Sequence, residues 1–346
     1  MGQEPFGVGI IGYGSSARVF HIPFISASPF FRLRAIVQRQ TRAGQPDAAT
    51  ELPDVTLYRR VDDLLRDKQI DVVIITTPPA SHYQLAADAL RSGKHVVVEK
   101  PFTPTYVEAE QLVELAAKTN ALLTIYQNRR WDSDFVAVSD LMARGVLGRV
   151  VDFESHFDRF RPEAPANTWK ADPAPGNGAI YDLGTHLIDQ VVHLFGMPAR
   201  VTGFADGMLA TIRAGVMSPQ QEQLRFWVRG DRGAFRKNGF DPQEAQLKKG
   251  WSPSDPGFGE EADQPNRGVI SLAVPQDGAT TMTESEHVDD VPPERKTYAE
   301  FYRRLALAMW TGDATLLPVA PDEAAQVIRL VELLKESSSL GRTLRV

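Results

Sequence analysis

FGVGIIGYGSSA, residues 6–17, decides the fold. Its first half is a short apolar run of strand type. Its second half, Gly12-x-Gly14-x-x-Ala17, opens a helical pattern. Gly12 permits a tight turn, Gly14 lets the backbone approach a pyrophosphate, and Ala17 takes the place of a third glycine at the helix–strand contact. Such a motif is weak alone, but the strand–turn–helix context makes it a dinucleotide cradle rather than an empty turn.

Working outward, short apolar runs alternate with amphipathic segments. Residues 32–38, 55–58, 71–77, 95–99 and 121–126 read as further strands, and 82–93 and 106–120 as helices. In the second helix Val107, Leu112, Leu115 and Ala116 form the expected inward stripe. Buried strands alternating with helices predict parallel βαβ units and a doubly wound Rossmann sheet. After residue 126 the rhythm changes. A helix is expected over 134–145. Along 149–160, Val151, Phe153 and Phe157 alternate with Asp152, Glu154, His156 and Asp158, the period of an antiparallel or mixed sheet with one polar face. Further strands are expected at 199–206, 223–230 and 268–274. Residues 251–267 and 284–296 read as surface loops. The C-terminal segment reads as an amphipathic helix with Val327, Ile328, Val331 and Leu334 inward, then a short extended end. The fold class is therefore α/β: a Rossmann domain over 1–126, and an α+β domain with an open, largely antiparallel sheet over 127–346.

A chain of 346 residues is too long for most single cores, in keeping with two domains. A net charge of −6 gives no sign of a nucleic-acid or acidic-membrane partner. The absence of cysteine excludes disulfides, thiolate catalysis and cysteine-bound metals. There is no signal-peptide pattern and no apolar run near the roughly 18 residues of a membrane span, so the expected setting is cytoplasmic.

The chemistry should lie beyond the carboxyl ends of the first-domain strands. After the second strand, where an acid would hold the ribose of NAD, stand Gln38, Arg39 and, soon after, Arg42. No carboxylate repels a 2′-phosphate there and arginines can bind one, so NADP is expected over NAD. Thr77 and Pro78 after the fourth strand, His82 at the start of the next helix, and Glu99 complete the expected cofactor contacts. VVVEKPF, residues 96–102, ends a buried strand in an acid, a base and a proline. Lys100 is the candidate for chemistry, and Pro101 restricts its backbone and permits a cis bond.

In the second domain, GNGAIYDLGTHLIDQVVHLFG (176–196) places Asp182 and His186 four apart. On one helical face, the carboxylate would orient the imidazole and support its protonated form, suiting a general acid/base. Asp189 and His193 continue along that face, but the four span too many turns for one ion, and no metal is expected. Asn128, Arg130 and Trp131 at the domain junction, with Arg159 and Trp169, are candidates for a polyhydroxylated ligand. An interdomain salt-bridge network is the competing use of those charges. Of the remaining histidines, His21 should pack near the first helix, His95 is structural, His156 lies on a polar strand face, and His287 is solvated.

Together, GYG-x-x-A, VVVEKPF and YDLGTHLIDQ resemble the Gfo/Idh/MocA oxidoreductases over essentially the whole chain. NRRWDSDF, FDRFRP and GAFRKNGFDPQEAQL further resemble the family's NADP-dependent scyllo-inositol dehydrogenase subgroup. The resemblance implies a Rossmann domain plus an α/β domain whose open sheet binds substrate and often joins two or four copies. It implies that Lys100, on a cis Lys–Pro bond, holds the reacting oxygen, that His186 shuttles the proton, and that Asp182 orients the pair. Turnover of a cyclitol or sugar with NADP is the expected activity. Two rivals share the fold: a non-catalytic NAD(P) sensor, as in yeast galactose control, and an NAD-assisted glycoside hydrolase. A sensor should lack the lysine or histidine, and both are present.

Overall fold

The computed structural model describes residues 4–41, 46–159, 174–201, 208–215, 218–220, 222–261, 268–276, 279–286 and 296–346. The first sheet contains β1 (Phe6–Ile11), β2 (Phe31–Val37), β3 (Thr56–Tyr58), β4 (Val72–Ile75), β5 (His95–Val98) and β6 (Leu123–Ile125). Its order is β3-β2-β1-β4-β5-β6 and every pairing is parallel. The order reverses between β1 and β4, so their carboxyl ends flank a crevice where a ligand can enter. β4 is buried along its whole length, which is why it reads as a continuous apolar run.

One stripe differs from expectation. In the helix Tyr106–Thr119 the buried residues are Ala109, Leu112 and Ala116, whereas Val107 is 60% exposed. Val107 is five positions from Leu112, well off the face that repeats every three to four residues. The helix starts at a full capping box between Thr105 and Glu108.

The second sheet contains β7 (Val150–Asp158), β9 (Leu209–Gly215), β10 (Leu224–Gly230), β11 (Gly233–Asn238), β12 (Val269–Gln276) and β13 (Ala279–Glu286). Its order is β13-β12-β11-β10-β7-β9, antiparallel except for the parallel β7–β9 pair. β9, β11 and β13 carry charged and small residues and lack an apolar run that would mark them as strands. β13 also extends into the stretch read as loop from 284. The expected strand 199–206 is described only as β8 (Arg200–Val201). It pairs with the extended C-terminal end, β14 (Leu344–Arg345), and not with the open sheet.

The helix Ala299–Thr311 was not anticipated either. Its Phe301, Tyr302 and Leu305 join Phe24, Tyr126 and Trp131 in the core under the first sheet. The final helix, Pro321–Leu340, buries Val327, Ile328 and Val331 as expected, while Leu334 is half-buried.

The second core is built around a charge. Arg225 is fully buried, with its Nε 3.1 Å from Asp134 Oδ2, and Asp134 is equally buried. Its Nη1 donates to Ser155 Oγ at 2.8 Å, and its guanidinium lies 4.3 Å and 4.0 Å from the ring centres of Phe157 and Phe226. Removing one partner of such a pair strands the other charge. Arg225→Leu should therefore cost about 3–5 kcal/mol in urea unfolding. Adding Asp134→Leu should recover much of that loss, and a single variant as stable as the parent would contradict the pairing.

Candidate functional site

The glycine turn has the form its sequence requires. Gly12 has φ +105°, and a Cβ there would lie 2.8 Å from Thr76 Oγ1. Only glycine fits. At Gly14 a Cβ would meet nothing within 4 Å, so the backbone faces open space beside the turn. Ala17 is completely buried against the sheet. These features fit a dinucleotide pyrophosphate laid along residues 12–16.

At the end of β2, Gln38 uses its side chain within the chain itself. Its Nε2 donates to the Pro46 carbonyl at 2.8 Å, and its Oε1 accepts from the Ala48 amide at 2.9 Å. Arg39 is exposed. Arg42 lies outside the described residues, as do Trp169 and His287. A residue missed in the sequence stands beside Gln38: Arg59, at the end of β3, donates from Nη1 to the Gln38 carbonyl at 2.9 Å. The Arg59-Arg60 pair after VTLY was the available signal.

Beyond β5, Glu99 faces inward. Its carboxylate accepts from Ser16 Oγ, lies 3.1 Å from His21 Nε2, and accepts the Lys100 amide at 3.0 Å. Burial pushes the Glu99 carboxyl up, but bonds and charge from His21, Ser16 and Lys100 outweigh it and hold the group low. His21 is itself buried, bonded to the Tyr302 hydroxyl at 2.7 Å and packed on Tyr126. Glu99 is thus a brace joining the glycine turn to the lysine. His82 is a second brace. It is fully buried, with Nδ1 2.9 Å from the Pro101 carbonyl and Nε2 2.7 Å from the Thr77 carbonyl. It ties the loop after β4 to the loop after β5. Thr77 Oγ1 pairs with Ser81 Oγ at 2.7 Å, and Pro78 is exposed at the crevice.

The Lys100–Pro101 bond is cis. Lys100 Nζ reaches into the second domain, donating to the Asp182 carbonyl at 2.8 Å and to its Oδ1 at 3.0 Å. His186 is 5% exposed, and its Nδ1 has no hydrogen-bond partner among the described residues. Its pKa falls well below 6.5, first through burial and then through the positive charges of Lys100, Arg129, Arg225 and Arg159. This corrects the sequence reading, in which Asp182 supports a protonated imidazole. Asp182 lies in the π turn Ile180–Gly184 that precedes the α-helix Thr185–Phe195, and its Oδ1 is taken by Lys100 Nζ. Asp182 engages Lys100, and the environment of His186 holds the ring neutral.

The junction residues divide. Asn128 is buried in the short turn Asn128–Trp131. Arg130 makes a two-pronged bond to Asp189 at 2.8 and 2.7 Å and meets Glu323 at 2.9 Å. Trp131 packs edge-on against Phe301. With His193, Arg130 and Trp131 line a cavity of about 240 Å³ that includes neither Lys100 nor His186 among its lining residues. The described partners of Arg130 are thus carboxylates of its own chain. Arg159 instead lies on the His186 side, over the Phe240 ring at 5.4 Å and 3.7 Å from Glu244. The Phe157 ring sits 6.3 Å from His186 and 5.6 Å from Phe240. Arg129, in the same junction stretch, joins this wall through Glu244, Asp132 and the Tyr298 hydroxyl. The result is a grouping of a lysine, an imidazole held neutral and an aromatic–guanidinium wall. It can stabilise negative charge on a bound oxygen and accept that oxygen's proton.

The oxidoreductase family model with an NAD-binding Rossmann fold matches residues 6–127. A GFO/IDH/MocA C-terminal model matches 135–206, and the family's C-terminal alpha/beta model matches 203–346. An uncharacterized oxidoreductase of Schizosaccharomyces pombe is 37% identical, aligned over 99% of this chain and 100% of the relative. The scyllo-inositol 2-dehydrogenase (NADP(+)) IolW of Bacillus subtilis is 32% identical over 97% of this chain and 95% of its own. Among solved structures, the oxidoreductase YvaA of Bacillus subtilis superposes with a TM-score of 0.85 at 30% identity, covering 99% of both chains. With relatives aligned along nearly its whole length and family models on both of its sheets, the chain belongs to the Gfo/Idh/MocA oxidoreductases.

Proposed function

We propose that this oxidoreductase transfers hydride between a cyclitol or sugar hydroxyl carbon and NADP. The observation that carries the proposal is Lys100, anchored on Asp182 beside a neutral His186 at the mouth of the Rossmann crevice. The similarity to an NADP-linked scyllo-inositol dehydrogenase supports the substrate class. Residues 1–126 serve the dinucleotide and 127–346 the substrate. The polar outer face of the open sheet, where Trp227 is 37% exposed, meets another copy of the chain.

When bound, the nicotinamide supplies the hydride chemistry. Gly12 and Gly14 give its pyrophosphate a close backbone, while Thr77 and Pro78 border the crevice. Lys100 holds the substrate oxygen and favours its negative charge as the hydroxyl proton leaves. His186, neutral at the outset, takes that proton. Asp182 fixes the ammonium, and Arg159 with the aromatic wall orients the ring. Asp182 and the braces Glu99 and His82 act on position rather than on the reacting atoms.

Purified protein with NADP should form NADPH from at least one of scyllo-inositol, myo-inositol, glucose or xylose. Turnover of none of these, and no NADPH consumption with their keto forms, would contradict the proposal and favour a sensor. Lys100→Ala should lower kcat about 10²–10³-fold while NADP affinity holds. Equal loss of both would make Lys100 a structural residue. By imidazole NMR, His186 should be neutral at pH 6.5, and Lys100→Met, by removing a repelling cation, should raise its pKa. A ring already protonated at that pH would refute the proton-acceptor role.

A further inference from the structure

The carboxyl ends of β2 and β3 leave the sheet side by side. Val37 pairs with Tyr58, and the Gln38 amide extends the ladder by donating to the Tyr58 carbonyl at 3.1 Å. Gln38 and Arg59 are therefore neighbours although 21 positions apart. Arg59 folds back and anchors its guanidinium on the Gln38 carbonyl. One N–H is used, and the remaining donors of the fork project from an exposed side chain.

The surrounding charges make this arginine distinctive. Arg18 is engaged by Glu51 at 3.0 Å and Arg60 by Asp62 at 3.2 Å. Glu51 also accepts from the hydroxyl of Tyr13, the residue inside the glycine turn. Asp47 is turned onto Thr41, Thr50 and the Ala49 amide. The acids of this corner are thus occupied, and Gln38 stands where an acid would hold a ribose 2′-hydroxyl. Arg59 forms no ion pair with any described residue. A cation anchored by a carbonyl at this strand end meets the position of the ribose 2′ substituent. A phosphate dianion suits it through a charge-assisted, two-pronged contact.

We propose that Arg59 binds the 2′-phosphate of NADP and, with Arg39, sets the preference for NADP over NAD. The inference rests on the NADP reading above and names the residue that enforces it. Anchoring on Gln38 holds the fork in place before the nucleotide arrives, which lowers the ordering cost of binding.

The test is calorimetric binding of 2′,5′-ADP and of 5′-ADP to the full-length chain, wild type and variants. Wild type should bind 2′,5′-ADP the more tightly. Arg59→Gln retains a donor for the Gln38 carbonyl but loses the charge. It and Arg59→Ala should each weaken 2′,5′-ADP about tenfold or more, with 5′-ADP unchanged. The loss should shrink as salt rises. If Arg59→Gln keeps the wild-type affinity for 2′,5′-ADP, Arg59 only braces the loop and the inference falls while the NADP reading stands. If wild type itself binds the two ligands equally, the NADP reading fails and the inference fails with it.

Discussion

The contact between the Lys100 ammonium and Asp182 is the constraint on which the arrangement turns. It is the point where the carboxyl end of β5 meets the segment leading into the helix Thr185–Phe195. A lysine at a strand end would ordinarily sample many rotamers in water. Here Nζ is held by a backbone carbonyl and a carboxylate at once, and its side chain is only 19% exposed. Glu99 fixes the backbone behind it, and His82 fixes the loop ahead of it. Both braces are buried, so their bonds are sheltered from competing water.

This placement explains the state of His186. A buried imidazole near four cations gives up its proton easily, so the ring enters a reaction as an acceptor. A carboxylate bound to His186 would have the opposite effect and would favour the imidazolium. Asp182 acts on the lysine instead, dividing the work between a fixed positive charge and a neutral base. The cost of so much charge near one cleft is met by pairing: Arg129 with Glu244 and Asp132, Arg225 with Asp134, and Arg130 with Asp189.

The Rossmann half was legible because its central strands β1, β4 and β5 are buried almost throughout and Gly12 has a steric reason to be present. The positions of Gly12, Lys100 and the helix from Thr185 followed from local pattern alone. Three other features did not. The partner of Asp182 is Lys100, 82 positions away, which a local spacing of four to His186 does not reveal. The polar strands β9, β11 and β13 lack the apolar alternation that reveals a strand. The partner choices of Arg130 and Arg59 depend on residues 59 and 21 positions away. Side-chain type announces a charge, but only the fold decides which charge meets it.

The pH dependence of kcat/KM for NADP-linked oxidation of a turned-over polyol tests the account most directly. A proton acceptor held neutral by burial and by surrounding cations predicts activity maintained from neutral pH to below 6.5, the ordinary imidazole value. It should fall only at lower pH, with that limb absent in His186→Gln. An acid limb centred at or above 6.5 that vanishes with His186 would mean that burial and the surrounding cations do not depress the ring's pKa, and the electrostatic account would be wrong.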